Sequence, residues 1–113
     1  KRFLNYYKKE MNILMLTYKK NNSLRYGNVE VGQNNKVISF SEKSGERKII
    51  NAGVYILKKK IFEKISSDRF SLEEKVFKNT KKYFYHYLTS GKFMDIGTPE
   101  SFRFAKKNLK KWF

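Results

Sequence analysis

The stretch from Ile49 to Leu57 narrows the folds open to this chain more than any other. It is a nearly continuous apolar run, interrupted by Asn51 and Gly53. Runs of that kind belong to strands covered on both faces, as in sheets with helices packed against them. Asn12 to Tyr18 reads the same way, as a buried strand. Between the two, Lys19 to Ser23 is a polar loop. A hairpin follows, with arms Tyr26–Val31 and Val37–Glu42 around Gly32-Gln33-Asn34-Asn35, residues that tolerate positive φ. In the second arm alternation puts Val37, Ser39 and Ser41 on one face and Ile38, Phe40 and Glu42 on the other. Ser44 to Lys48 is a charged loop.

The rest of the chain switches periods. Lys58 to Ile65 has Ile61, Phe62 and Ile65 on one helical stripe. Ser71 is suited to cap a second helix, with Glu74 completing a capping box and Leu72, Val76 and Phe77 as the buried face. Lys82 to Leu88 alternates Tyr83, Tyr85 and Tyr87 against Phe84, His86 and Leu88, as a strand does. Ser90-Gly91 turns the chain into a short strand, Lys92 to Ile96. Thr98 caps a last helix that has Pro99 at its first position and Phe102, Ala105 and Leu109 on its inner face. The first nine residues read as the end of a helix, with Phe3, Tyr6 and Tyr7 on one face, and a preceding segment is expected. Strands and helices are mixed without strict alternation, which predicts a mixed sheet carrying helices.

Length and composition set limits. The 113 residues suffice for one core, and 40% hydrophobic and 17% aromatic content exclude wholesale disorder. With no Cys, disulfides and thiolate metal sites are excluded, and a cytoplasmic location is allowed. The opening residues carry no signal-peptide pattern, and Ile13–Leu16 is too short to span a bilayer. The formal net charge of +16 attracts polyanions, phosphorylated ligands included. The lysines are also scattered among Asn, Ile, Phe and Tyr along the whole chain, as a compositional bias spread over solvated faces would be.

Four short motifs follow one another: Tyr26-Gly27, Phe40-Ser41-Glu42-Lys43, Asn51-Ala52-Gly53-Val54-Tyr55-Ile56-Leu57 and Asp95-Ile96-Gly97-Thr98-Pro99-Glu100. In order and spacing the series resembles the second half of the sugar-1-phosphate nucleotidylyltransferases, from Arg25 to about Leu109. Within that family the likeness is to the D-glycero-D-manno-heptose-1-phosphate and mannose-1-phosphate guanylyltransferases, and Ser71-Leu72-Glu73 fits that branch. The resemblance implies a three-layer α/β/α nucleotidyltransferase (Rossmann-like) fold with a mixed sheet. Residues 1–113 would form the carboxy-terminal, sugar-phosphate-binding part of a single domain. It also implies Mg²⁺ as cofactor, sugar 1-phosphate and an NTP (GTP favoured) as ligands, and neither nucleic acid nor membrane as partner. The implied reaction joins sugar 1-phosphate and NTP into NDP-sugar and pyrophosphate, on the way to surface polysaccharide precursors. Oligomeric state carries no signal.

Each motif also has a reading of its own. Gly27, lacking a side chain, either admits a ligand close to the backbone or opens the hairpin with a tight bend. Glu42 and Lys43 are either an exposed ion pair or a carboxylate for sugar hydroxyls beside an ammonium for phosphate. Asn51, breaking an apolar strand, either satisfies a bend or reads a ligand, with Ala52-Gly53 keeping the wall beside it thin. Asp95 either holds a metal or favours the N-terminus of the helix after Thr98. His86 has no visible partner and reads as a satisfied or exposed histidine rather than a catalytic one. The resemblance implies substrate-binding roles for Tyr26, Gly27, Glu42, Lys43, Asn51, Ala52 and Gly53. It implies catalytic roles for Lys43 and Asp95, with Asp95 as metal ligand. The family's glycine-rich phosphate loop and first metal-binding aspartate precede the matched region, so the isolated chain is expected to be inactive. Two other readings remain: a basic module that binds nucleic acid, and a non-catalytic remnant serving as an interaction domain.

Overall fold

The computed structural model describes residues 1–20, 27–41, 49–66 and 68–112. Five strands form one mixed sheet: β1 (Ile13–Lys19), β2 (Asn28–Val31), β3 (Val37–Ser41), β4 (Ile49–Leu57) and β5 (Phe84–Leu88), in the order β3-β2-β4-β1-β5. Only β1 and β5 run parallel; the other neighbours are antiparallel. The two continuous apolar runs, β1 and β4, lie side by side in the interior of the sheet, as their lack of alternation requires.

Ile13 and Met15 of β1 and Phe84 of β5 meet Val76 and Phe77 on one face, where Val29, Val37 and Phe40 complete the buried cluster. The ring of Phe77 packs against Phe40, Tyr55 and Phe84, with centroids 5.4, 4.8 and 5.6 Å away. On the opposite face helix α1 (Arg2–Tyr6) sets Phe3 and Tyr6 against the ring of Tyr87. Helix α2 (Pro99–Asn108) starts at Thr98, whose hydroxyl accepts the Ser101 N–H while the Ser101 hydroxyl accepts the Thr98 N–H. That reciprocal pair satisfies two amides that the first helical turn leaves without partners.

The hairpin turn forms where expected, with Asn34 and Asn35 at φ 57° and 60°. Strict alternation along β3 does not hold. Glu30 faces Ser39 and Val31 faces Val37, so Ile38 is an extra residue that pairs with nothing. The bulge turns Val37 and Phe40 to the same buried side and leaves Ile38 54% exposed.

Three further expectations are corrected. Lys58–Ile65 forms one 3₁₀ turn, Lys59–Phe62, rather than an α-helix. No side chain caps it, and so short a segment gains too few bonds to offset nucleation. Ile61, Phe62 and Ile65 still pack against the core. The segment after Ser71 is a π-helical turn, Glu73–Phe77, in which Lys78 N–H reaches Glu73 O. The wider turn lets Val76 and Phe77 both point inward, with Leu72 beside them. Ser71 does cap it, accepting the Glu74 N–H, but the carboxylate that answers the Ser71 hydroxyl is that of Glu73. Finally, Lys92–Ile96 forms no strand and does not join the sheet. Its Asp95 side chain bonds locally to Gly97 N–H, a contact that competes with strand pairing.

Candidate functional site

In open α/β sheets ligands gather beyond the carboxyl ends of parallel strands. Here that end is where β1 runs out at Lys19 and β5 at Leu88. β4 runs antiparallel to β1, so its first residues arrive at the same end, with Ile49 facing Lys19 and Asn51 facing Thr17. β2 begins there too, with Asn28 opposite both Ile50 and Ser41. The topology therefore brings Gly27, Asn51, the end of β3 and the Asp95 segment to one end of the sheet.

Gly27 and Asn51 are in direct contact: the Asn51 N–H donates to Gly27 O at 2.8 Å. A Cβ on residue 27 would lie 2.7 Å from Cζ of Phe40, so the glycine is required by the packing of that ring. Asn51 and Tyr55 flank a wide bulge, because Thr17 faces Asn51 whereas Met15 faces Tyr55. Ala52, Gly53 and Val54 bow outward between them, and Gly53 adopts φ 79°. The Asn51 side chain holds this bow at both ends. Its Oδ1 accepts the Gly53 N–H at 2.8 Å and its Nδ2 donates to the Tyr55 hydroxyl at 2.6 Å. The bend-satisfying reading of Asn51 is thus observed, and the amide retains one further N–H for a ligand. Burial pushes the Tyr55 hydroxyl pKa up; the Asn51 bond opposes this and the Glu73 carboxylate adds to it.

Asp95 lies at the same end but toward the other face. Phe93 stacks on Tyr18 at 5.2 Å, and Tyr18 points away from the Phe77 side. Asp95 shares an open cleft of about 320 Å³ with Lys20, Thr98, Glu100 and Ser101, over Phe93, Met94 and Phe104. Its Oδ1 accepts the Gly97 N–H at 3.1 Å. Ile96 is 60% exposed. Tyr26, Glu42 and Lys43 fall outside the described residues.

Four partners escaped the sequence reading. Lys20 and Glu100 line the Asp95 cleft; the position of Lys20, one residue past the carboxyl end of a buried strand, was the available signal. Tyr55 answers Asn51, and a spacing of four in a strand already places two residues on one face. Buried His86 has a partner after all: Nδ1 lies 2.8 Å from Thr17 Oγ1, and that hydroxyl donates to Tyr87 O. With one hydroxyl proton committed to the carbonyl, the imidazole donates from Nδ1. Burial lowers the His86 pKa, so the ring is a neutral, satisfied side chain.

Among the described residues no group of three or more His, Cys, Asp or Glu converges. Asp95 and Glu100 offer two carboxylates in one cleft, a donor set suited to a hard cation that takes its other oxygens from phosphates.

The sequence profile of the family described as "Nucleotidyl transferase" matches residues 1–111. The chain is 40% identical over 89 residues to the D-glycero-alpha-D-manno-heptose 1-phosphate guanylyltransferase of Aneurinibacillus thermoaerophilus, covering 75% of this chain and 38% of that protein. It is 36% identical over 96 residues to the protein of the same name from Campylobacter jejuni subsp. jejuni, covering 82% of this chain and 43% of that one. The crystal structure of HddC from Yersinia pseudotuberculosis and its complex with GMP-PN superpose with TM-scores of 0.79 and 0.78, at 29% and 30% identity. Each comparison covers 96% of this chain and 48% of HddC. The chain spans less than half the length of each of these proteins.

Proposed function

The chain belongs to the nucleotidyl transferase family, and from that premise we propose that it forms the sugar-phosphate half of an enzyme transferring a guanylyl group to D-glycero-α-D-manno-heptose 1-phosphate. The observation that carries this reading is topological. Gly27, Asn51 and the Asp95 cleft gather at the carboxyl end of the parallel pair β1–β5. The names of the two guanylyltransferase relatives, and the GMP-PN bound to HddC, support the choice of base and sugar.

In this reaction a phosphate oxygen of the sugar 1-phosphate attacks the α-phosphorus of GTP in line, and pyrophosphate leaves without a covalent enzyme intermediate. Such transfers depend on positioning and on charge neutralisation. The Asn51 amide, fixed from both sides by the bulge, presents its remaining N–H to a sugar oxygen, and Gly53 keeps the wall beside it thin. Ala52 completes that wall; to Tyr26 we assign sugar binding, to Glu42 the acceptance of sugar hydroxyls, and to Lys43 the sugar phosphate. Asp95 and Glu100, two carboxylates in one cleft, would hold Mg²⁺. The cation, when bound, offsets charge developing on phosphate oxygens. The cytosol, where sugar phosphates and GTP coexist, is the compartment this reaction needs.

The test separates binding from turnover. Titrating the isotope-labelled chain with heptose 1-phosphate should shift the amides of Gly27, Asn51 and Gly53, while pyrophosphate release from GTP stays undetectable. Absent shifts at those residues, or Mg²⁺-dependent turnover by this chain alone, would overturn the assignment.

A further inference from the structure

A second cavity lies at the opposite end of the sheet, where β1 and β5 begin. It is open, about 490 Å³ in volume, and its rim carries Lys36, Lys81 and Lys82. Val37, Ile38 and Phe84 form an apolar floor, and Tyr83 stands at the edge, half exposed. Among the described residues no acidic side chain lines it. Among the described residues none of the three ammonium groups forms an ion pair or a hydrogen bond. Their spacing is imposed by the backbone. Lys36 bridges to Tyr85, which draws the hairpin turn across to the far edge strand. Lys82 O accepts the Asn12 side chain, and Tyr83 O accepts the N–H groups of both Asn12 and Ile13. Tyr83 is held at φ 59°, a conformation that a bulky side chain adopts only when its surroundings impose it.

Three cations fixed around one hollow repel each other and draw in an anion. Dispersed surface lysines do not share a floor of buried Val37 and Phe84 with an exposed aromatic ring beside it. We propose that this cavity is a second ligand site, separate from the Asp95 end, that takes a small phosphorylated ring compound. The phosphate sits among Lys36, Lys81 and Lys82, and the ring lies over Ile38 against Tyr83. The site serves binding and carries no chemistry of its own, since among the described residues the only titratable side chains lining it are these ammonium groups and one phenol.

The experiment uses phenyl phosphate and inorganic phosphate as probes, which share a dianion and differ by a ring. In an amide NMR titration of the 113-residue chain, phenyl phosphate should shift Lys36, Val37, Ile38 and Lys81–Phe84 together, and bind several-fold tighter than inorganic phosphate. Replacing the three rim lysines (Lys36→Gln, Lys81→Gln, Lys82→Gln) should weaken binding about tenfold or more. Replacing three exposed lysines elsewhere (Lys106→Gln, Lys107→Gln, Lys110→Gln) should change it less than about twofold. Equal losses in the two variants, or shifts spread over every lysine-bearing segment, would reduce the cavity to part of a diffuse field. Equal affinity for the two probes would remove the ring from the ligand.

Discussion

The two ends of the β1–β5 pair are built on different plans. At the carboxyl end the polar side chains are tied to their own backbone. Asn51 Oδ1 holds Gly53 N–H, Asp95 Oδ1 holds Gly97 N–H, and Thr98 and Ser101 hold each other. At the amino end the charges are all of one sign and unanchored: Lys36, Lys81 and Lys82 surround a hollow through flexible stems. One end fixes geometry before a ligand arrives; the other supplies field and leaves the ligand to order the side chains. Rate acceleration needs the first arrangement, whereas simple capture of an anion needs only the second.

Substitutions at the two ends should therefore fail in different ways. The largest effect is expected for Asp95→Asn in the complete enzyme. The variant keeps the shape and the bond to Gly97 but loses the anion, so turnover should fall on the order of a hundredfold and the Mg²⁺ requirement should rise. Its melting curve should move by no more than about 1 kcal/mol, because Asn serves a helix start nearly as well. Wild-type turnover at ordinary Mg²⁺ would leave Asp95 as a helix-end residue and erase the contrast between the ends.

Next in size is Gly27→Ala. The new methyl group would meet the Phe40 ring, which is itself wedged against Phe77. A loss of about 1–3 kcal/mol is expected in denaturant unfolding. Combining it with Phe40→Leu should recover part of that loss, and an unchanged midpoint for the single variant would show that the ring yields freely.

A smaller effect is a pH slope. His86 is buried and neutral, with its pKa depressed below the ordinary 6.5. The unfolded chain therefore binds a proton more readily, so the contribution of His86 is fully present above pH 6.5 and shrinks as pH falls below it. His86→Gln should melt with a shallower decline on the acid side, and an unchanged slope would assign the pH dependence to other groups. The smallest effect belongs to the amino end. The three-lysine variant Lys36→Gln, Lys81→Gln, Lys82→Gln should alter stability by no more than about 0.5 kcal/mol, or raise it slightly by relieving repulsion. A large loss there would mean that those stems hold the fold together.

Much of this architecture was legible in the sequence because it is written in local patterns. The bounds of β4 follow from one nearly continuous apolar run, the hairpin turn from Asn34-Asn35, and the start of α2 from Thr98-Pro99. What was not legible depends on partners distant in the chain. Alternation in β3 fails because a bulge against β2 frees Ile38, and no residue of β3 announces it. The inner face of α2 was expected at Phe102, Ala105 and Leu109, yet only Ala105 is buried; Phe102 is 49% and Leu109 47% exposed. Hydrophobicity named the wrong stripe because the side turned inward is the smaller one, carrying Ser101 and Ala105. At the site, the bend-holding role of Asn51 was foreseen as one of two alternatives, but its partner Tyr55 was not, since the bulge that aligns them is itself a product of pairing with β1.

The bridge between Lys36 and Tyr85 has a consequence for how copies of this chain behave in a crowded solution. β3 and β5 are the two margins of the sheet, and a bare margin is a template on which a stray strand can add by main-chain bonding. Here the first residue before one margin reaches over to the other, so at that end each shields the other's backbone groups. A lysine at the junction further discourages growth, because a second copy stacking in register would bring like charges together. Loosening this clasp exposes two unsatisfied backbone edges at once, so the bridge guards against fibre-like polymerisation.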